Sequence, residues 1–134
     1  LTRRMRQYAE EILEQRDINL EFNAPFVEPD VKLDANIRRN VYLIFKESVN
    51  NIIRHSNAAA ARIDFRLADK ELVLQIGDDG DGFDQTREYD GNGLPSIKKR
   101  AEDCGGQLEI DSVEGAGTKI VLRLKLKSAV WSWR

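Results

Sequence analysis

Cysteine is nearly absent from this chain: Cys104 stands alone among 134 residues. No internal disulfide can form, which excludes a stapled secreted scaffold and points to an intracellular setting. No apolar run approaches membrane-spanning length, and no signal peptide is visible. The net charge is only -2, so there is no global basic field to hold nucleic acid or an anionic membrane. Internal repeats, low-complexity stretches and an internal domain boundary are missing as well. The chain opens on Leu1 rather than methionine, and the expectation is a piece of a longer protein, with targeting or membrane segments left to the remainder.

What is present is ordinary for a globular domain: 41% apolar and 33% charged residues, enough for one domain with a modest core. Residues 2–16, TRRMRQYAEEILEQR, are rich in helix formers, with Met5, Tyr8 or Ala9, and Ile12 or Leu13 at helical spacing. INLEF (18–22) alternates as a strand, and residues 23–33, with Pro25 and Pro29, read as a loop. Asp34 is a suitable N-cap for a helix over 35–56. ARIDFRL (61–67) and ELVLQI (71–76) alternate on either side of a short Ala68-Asp69-Lys70 connection. Residues 78–93 read as irregular, 95–104 as a helix closed by Gly105-Gly106, and QLEIDSV and TKIVLRLKL as strands joined by the turn EGAG. The tail SAVWSWR (128–134) carries both tryptophans and reads as a separate end of a domain spanning 1–127. Alternation along the strands buries one sheet face only. The expected fold class is therefore α+β: a two-layer sandwich in which a mixed sheet of about five strands carries three helices on one face.

Two stretches concentrate polar chemistry. On a helical wheel of residues 35–56, Ile37, Val41, Ile44, Phe45 and Ile52 form one apolar stripe, and Glu47, Asn51 and Arg54 line its border within an arc of roughly 60°. They would make a solvated rim, or a site opening between helix and sheet. In the second case the Asn51 amide oxygen suits Mg²⁺, which binds few protein groups, and Glu47 could hold or deprotonate a nucleophile. The other stretch is DDGDGFD (78–84). It fails the helix-loop-helix calcium pattern in both registers, because Gly80 or Phe83 falls where an acidic or amide residue is required. Downstream, GNGLPSIKK sets Gly91 and Gly93 just ahead of a helix start, where free N–H groups and the positive dipole end favour an anion. It is neither a P-loop nor a dinucleotide fingerprint.

KESVNNIIRHS, DDGDGFD, GNGL and GAGT occur in this order across essentially the whole chain. Together they resemble the N, G1 and G2 boxes and the closing Gly-Thr of the GHKL ATPase superfamily, whose domain is the Bergerat ATP-binding fold. The form is most similar to the catalytic domain of sensor histidine kinases, of the nitrate-sensor-like subfamily. The resemblance implies binding of ATP with Mg²⁺ and transfer of the γ-phosphoryl group to a histidine on a dimerisation domain absent from this chain. It implies a downstream response regulator as partner, a monomeric isolated domain without nucleic-acid or direct membrane contact, and a cytoplasmic setting, including the cytoplasmic part of a membrane-anchored sensor. Asp78 matches the carboxylate that accepts from the adenine amino group, with Gly80 and Gly82 leaving room for the base and Asp79 and Asp81 solvated. Asn51 matches the Mg²⁺ ligand, Glu47 the residue that activates the acceptor or water, and Arg54 a position near the phosphates. Gly91, Gly93 and Leu94 fall in the G2 region, and Thr118 matches the threonine bordering the nucleotide. Residues 84–92 would form a short lid without the phenylalanine box of many histidine kinases. His55 matches a site-supporting position rather than the phosphoacceptor. Other GHKL-type ATPases, an anti-sigma-like serine kinase and a non-catalytic nucleotide-binding module are the alternatives.

Overall fold

The computed structural model describes residues 1–27, 31–82 and 94–126, without the side chains of Phe26, His55 and Ser56. Three α-helices and five strands follow one another: α1 (Thr2–Glu14), β1 (Asn19–Val27), α2 (Ala35–Asn51), β2 (Ala60–Ala68), β3 (Glu71–Asp78), α3 (Leu94–Asp103), β4 (Gln107–Ser112) and β5 (Thr118–Lys125). The sheet runs β1-β2-β3-β5-β4. The β1–β2 pair is parallel and the other pairs are antiparallel, so the expected mixed sheet is present.

Strand parity decides the layering. Ile63 and Phe65 of β2, Leu72, Leu74 and Ile76 of β3, and Ile120, Leu122 and Leu124 of β5 are all buried under the helices. Met5, Ala9 and Leu13 of α1, Val41, Ile44, Phe45 and Val49 of α2, and Ile97 and Ala101 of α3 meet them from the other side. Fully burying one such side chain contributes about 1.5–3 kcal/mol, so this single apolar layer carries the fold. The alternate positions form a polar face, where Arg62 pairs with Asp64 at 2.9 Å and lies 3.7 Å from Glu21.

Local chemistry sets the element ends. Asp34 Oδ1 accepts from the Ile37 N–H at 2.8 Å and caps α2. Asp69 and Lys70 both have positive φ, 55° and 60°, as a two-residue hairpin with type I′ twist requires. α3 ends as a glycine cap: Gly105 has φ 77°, the Gly106 N–H donates to the Ala101 carbonyl and the Gly105 N–H to that of Glu102.

Three expectations need correction. Residues 23–27 are not loop; β1 continues through Pro25 to Val27, with a register shift against β2 between Asn23 and Phe26. Proline lacks the N–H of an interior strand, but β1 is an edge strand and the irregularity absorbs it. The helix expected over 35–56 is α-helical only to Asn51, and Ile52–Ser56 form a π-helical turn. The turn exits through Asn57 in the left-handed region, φ 52°. Asp78, read as the start of an irregular stretch, is the last residue of β3. The expected lid (84–92), the tail 128–134 with both tryptophans and the boundary at residue 127 lie outside the described residues.

Candidate functional site

Glu47 and Asn51 stand on α2, and Arg54 on the π turn that follows it. Arg54 Nη2 donates to Glu47 Oε1 at 2.9 Å, with the side chains 48% and 31% exposed. A pair so exposed contributes at most about 1 kcal/mol, so it holds two side chains in place without committing them. Between them in sequence, Asn51 Oδ1 is buried and accepts no hydrogen bond among the described residues. Buried amide oxygens are normally satisfied, and an orphan of this kind calls for a ligand. A neutral, buried oxygen donor fits a hard cation such as Mg²⁺, which takes few protein groups and keeps its other positions for water and phosphate. No cluster of three or more His, Cys, Asp or Glu able to hold a metal exists among the described residues. Asn51 Oδ1 is the one buried side-chain oxygen without a partner among the described residues, and so the oxygen that a Mg²⁺ here would meet.

Asp78 comes to the same layer from the sheet. It follows Leu72, Leu74 and Ile76 in parity, on the side of β3 that faces the helices, and its register partners are Ala61 and Thr118. Its Oδ1 accepts from the Gly80 N–H at 2.8 Å, which leaves Oδ2 free of any described partner. Burial pushes the Asp78 carboxyl above its ordinary range; the Gly80 N–H opposes this and the neighbouring Asp79 charge adds to it. A half-buried carboxylate with one uncommitted oxygen is suited to accept from a ligand N–H. Thr118 Oγ1 lies 2.8 Å from Ser112 Oγ, so its hydroxyl is oriented beside Asp78.

The two glycines nearest this point have structural reasons of their own. Gly82 has φ 64°, and a Cβ there would strike the Val113 carbonyl; Gly117 has φ 82°, and a Cβ there would strike the carbonyl of Asp78. The loop after β3 and the turn between β4 and β5 thus meet backbone to backbone, and the Gly115 N–H donates to the Asp81 carbonyl. Gly80 is buried, and Leu94 is half-buried at the start of α3, against the core. Gly91, Gly93 and the His55 side chain lie outside the described residues.

Sequence reasoning missed three things. Asp79 and Asp81, expected to be solvated, are exposed but engaged. Asp79 Oδ1 accepts from the N–H groups of both Ala59 and Ala60 at 2.9 Å, and Asp81 Oδ2 accepts from Asn57 Nδ2 at 2.8 Å. The backbone donors hold the Asp79 carboxyl below its ordinary value. Third, Tyr8 Oη donates to Asn50 Oδ1 at 2.6 Å, and the ring lies edge-on to Tyr42 and Phe45, which pins α1 to α2 one residue from Asn51. The spacing of Tyr8 within a helix was visible; its partner 42 residues away was not.

This architecture and site define a nucleotide-binding ATPase module. The chain belongs to the family described as histidine kinase-, DNA gyrase B- and HSP90-like ATPases, whose model matches residues 36–128. Among curated proteins it is 32% identical over 99 residues to the sensor histidine kinase LiaS of Bacillus subtilis (strain 168), covering 72% of this chain and 27% of that protein. It is 38% identical over 91 residues to the sensor histidine kinase YxjM of the same organism, covering 68% of this chain and 22% of that protein. The sensor protein VraS of Staphylococcus aureus (strain COL) is 30% identical over 98 residues, covering 72% of this chain and 28% of its own length. The chain thus spans about a quarter of the length of these relatives. Among solved structures, Acinetobacter baumannii histidine kinase AdeS superposes with TM-score 0.72 at 18% identity, covering 94% of this chain and 63% of that one. The catalytic domain of histidine kinase ThkA gives TM-score 0.72 at 18% identity, covering 92% and 88%. At these identities the likeness speaks for the α+β fold. No helix among the described residues is long and apolar enough to cross a membrane.

Proposed function

We propose that this chain, over residues 1–127, is the ATP-binding catalytic domain of a cytoplasmic or membrane-anchored sensor histidine kinase of the nitrate-sensor-like subfamily. It binds ATP with Mg²⁺ and donates the γ-phosphoryl group to a histidine on a dimerisation domain of the same protein, from which a response regulator takes it. The observation that carries the reading is the orphaned Asn51 Oδ1, buried next to the Glu47–Arg54 pair in a chain whose relatives are sensor histidine kinases. Asp78 accepts from the adenine amino group through its uncommitted oxygen, with Thr118 beside it and Gly80, Gly82, Gly91, Gly93 and Leu94 around the nucleotide. Bound Mg²⁺ supplies neutralisation of phosphate charge, with Asn51 holding it. Arg54 leaves its exposed pair to meet the phosphates, and Glu47, so released, orients the incoming imidazole and takes its proton. Positioning and electrostatic stabilisation account for most of the catalysis in phosphoryl transfer.

The test is a two-component labelling experiment. Alone with labelled ATP and Mg²⁺, the chain acquires no acid-labile phosphate. With a separate dimerisation segment carrying its histidine, that segment becomes labelled. Acid-stable label on a serine of an added substrate would favour the serine-kinase alternative, and acid-labile label on His55 would overturn the division of roles.

A further inference from the structure

Resting on the nucleotide-binding reading above, we propose that Asp79 and Asp81 are positioning residues. They clasp the exit of the catalytic helix to the loop that follows Asp78, and so set the distance between the metal end and the adenine end of the site.

The geometry of the connection makes this necessary. After Asn51 the helix widens into the π turn Ile52–Ser56 and leaves it through Asn57 in a left-handed conformation. Both features are departures from regular helix, and π turns in helices commonly sit at functional positions. The Ser48 and Val49 carbonyls still accept from Ile52 N–H. Beyond the turn, the chain must reach β2 in register beside Asp78, since Ala61 is Asp78's partner. The β2–β3 ladder holds Ala60 onward, where the Asp79 N–H donates to the Ala60 carbonyl at 3.2 Å. Residues 57–59 lie between turn and ladder, and here the acidic loop reaches back. Asp79 follows directly after β3, and a single oxygen of its side chain gathers the N–H groups of Ala59 and Ala60. Asp81 takes the Asn57 amide. Ala59 is also held from the other side, because its carbonyl accepts from the Asn19 N–H at 2.9 Å. A carbonyl-type oxygen carries two acceptor lone pairs, which suits two convergent N–H donors.

The bonds are exposed, so they add little to global stability. Their effect is on arrangement. ATP with its metal touches both Asn51 and Asp78, whereas adenosine touches only the Asp78 end. Without the clasp the two ends drift, only a fraction of molecules present both at the spacing ATP needs, and apparent affinity falls by that fraction. Adenosine is indifferent to that drift.

The experiment compares wild type, Asp79→Ala and Asp79→Asn in titrations with Mg·ATP and with adenosine, followed by chemical shifts. Asp79→Ala should weaken Mg·ATP by about tenfold while adenosine changes by less than about twofold. Asp79→Asn, whose amide oxygen can still accept, should recover most of the loss. Unchanged Mg·ATP affinity in folded Asp79→Ala, or an equal loss for both ligands, overturns the proposal. Wild type binding neither ligand overturns the nucleotide reading itself, and this is seen without any variant. Should Asp79→Ala fail to fold, Asp81→Ala releases only the bond to Asn57 and leaves Asn57 itself in its left-handed conformation. It should show the same selectivity of loss at smaller size, and its absence there counts against the clasp.

Discussion

Replacing Asp78 by asparagine separates the demands on this carboxylate, because the substitution keeps the shape and removes one acceptor. In the parent, Oδ1 is committed to the Gly80 N–H at 2.8 Å, and Oδ2 has no partner among the described residues. Gly80 is buried, so its N–H has no ready substitute in water. In Asp78→Asn the amide has one oxygen for two donors. If that oxygen stays on Gly80, the new NH₂ group faces the adenine amino group, donor against donor. If it flips, the Gly80 N–H is orphaned. Either arrangement loses one hydrogen bond to a charged or buried group, about 1–3 kcal/mol, and hence roughly 5- to 150-fold in ATP affinity. The new donor should also meet the carbonyl of guanine, so the preference for ATP over GTP should narrow.

Stability should move the other way. Burial raises the Asp78 carboxyl above the ordinary aspartate value of 3.8, so the folded protein holds its proton to higher pH than the unfolded chain does. Stability is then lost as pH rises from 3.8 through the raised folded value, and the buried charge remains a cost at neutral pH. Asp78→Asn removes that cost. Apo Asp78→Asn should therefore be at least as stable as the parent at neutral pH, with the advantage gone below the ordinary aspartate range. Calorimetric titration with ATP and GTP, with urea unfolding at both pH values, reads both effects. Parental affinity and parental nucleotide preference in a folded Asp78→Asn variant would refute the assignment.

Three further outcomes are expected. Asn51→Ala should abolish Mg²⁺-dependent transfer in the full-length protein with urea unfolding unchanged, since it removes an oxygen that no described residue uses. Gly82→Ala should cost about 1–3 kcal/mol in urea unfolding and weaken ATP binding together, because it combines positive φ with a collision against the Val113 carbonyl. Asp79 has its pKa lowered, first by the Ala60 N–H, so its contribution is complete above 3.8 and disappears as pH falls through the lower folded value. Acidification from about pH 5 to about pH 3 should therefore destabilise the parent slightly more than Asp79→Asn, a small difference because the bonds are exposed, measured by urea midpoints at the two pH values.

Much of the fold was legible because its periods are regular. The stripe of Val41, Ile44 and Phe45 and the alternation of Leu72, Leu74 and Ile76 each repeat within one element, and a single sheet face absorbs both. Helical spacing put Glu47 and Arg54 on one arc; their ion pair, made from the π turn back to α2, did not follow from it. The continuation of β1 past Pro25 was hidden, because whether proline ends a strand depends on whether that strand lies at an edge, and edge position belongs to the whole sheet. The π turn was hidden for a related reason: nothing in IIRHS forbids an α-helix, and the widened exit is tied down by partners that follow in later elements.

The acidic run after β3 shows most clearly why a local reading stops short. Read by itself, DDGDGFD is a turn with surplus charge. Within the fold its residues answer to different neighbours. Asp78 keeps one oxygen without a partner among the described residues, and Asp79 gathers two N–H groups at the start of β2. Asp81 holds Asn57, and Gly82 gives up its side chain so that the turn between β4 and β5 can approach. Those neighbours arrive from roughly twenty residues upstream and thirty downstream, and no spacing rule within seven residues encodes them. Alternation along β3 sets the side of Asp78, and Asp79, one residue past the strand's end, is set by the N–H groups it accepts. These two adjacent aspartates therefore divide their work: Asp78 closes onto the Gly80 N–H within its own loop, and Asp79 reaches the chain that leads out of the α2 exit.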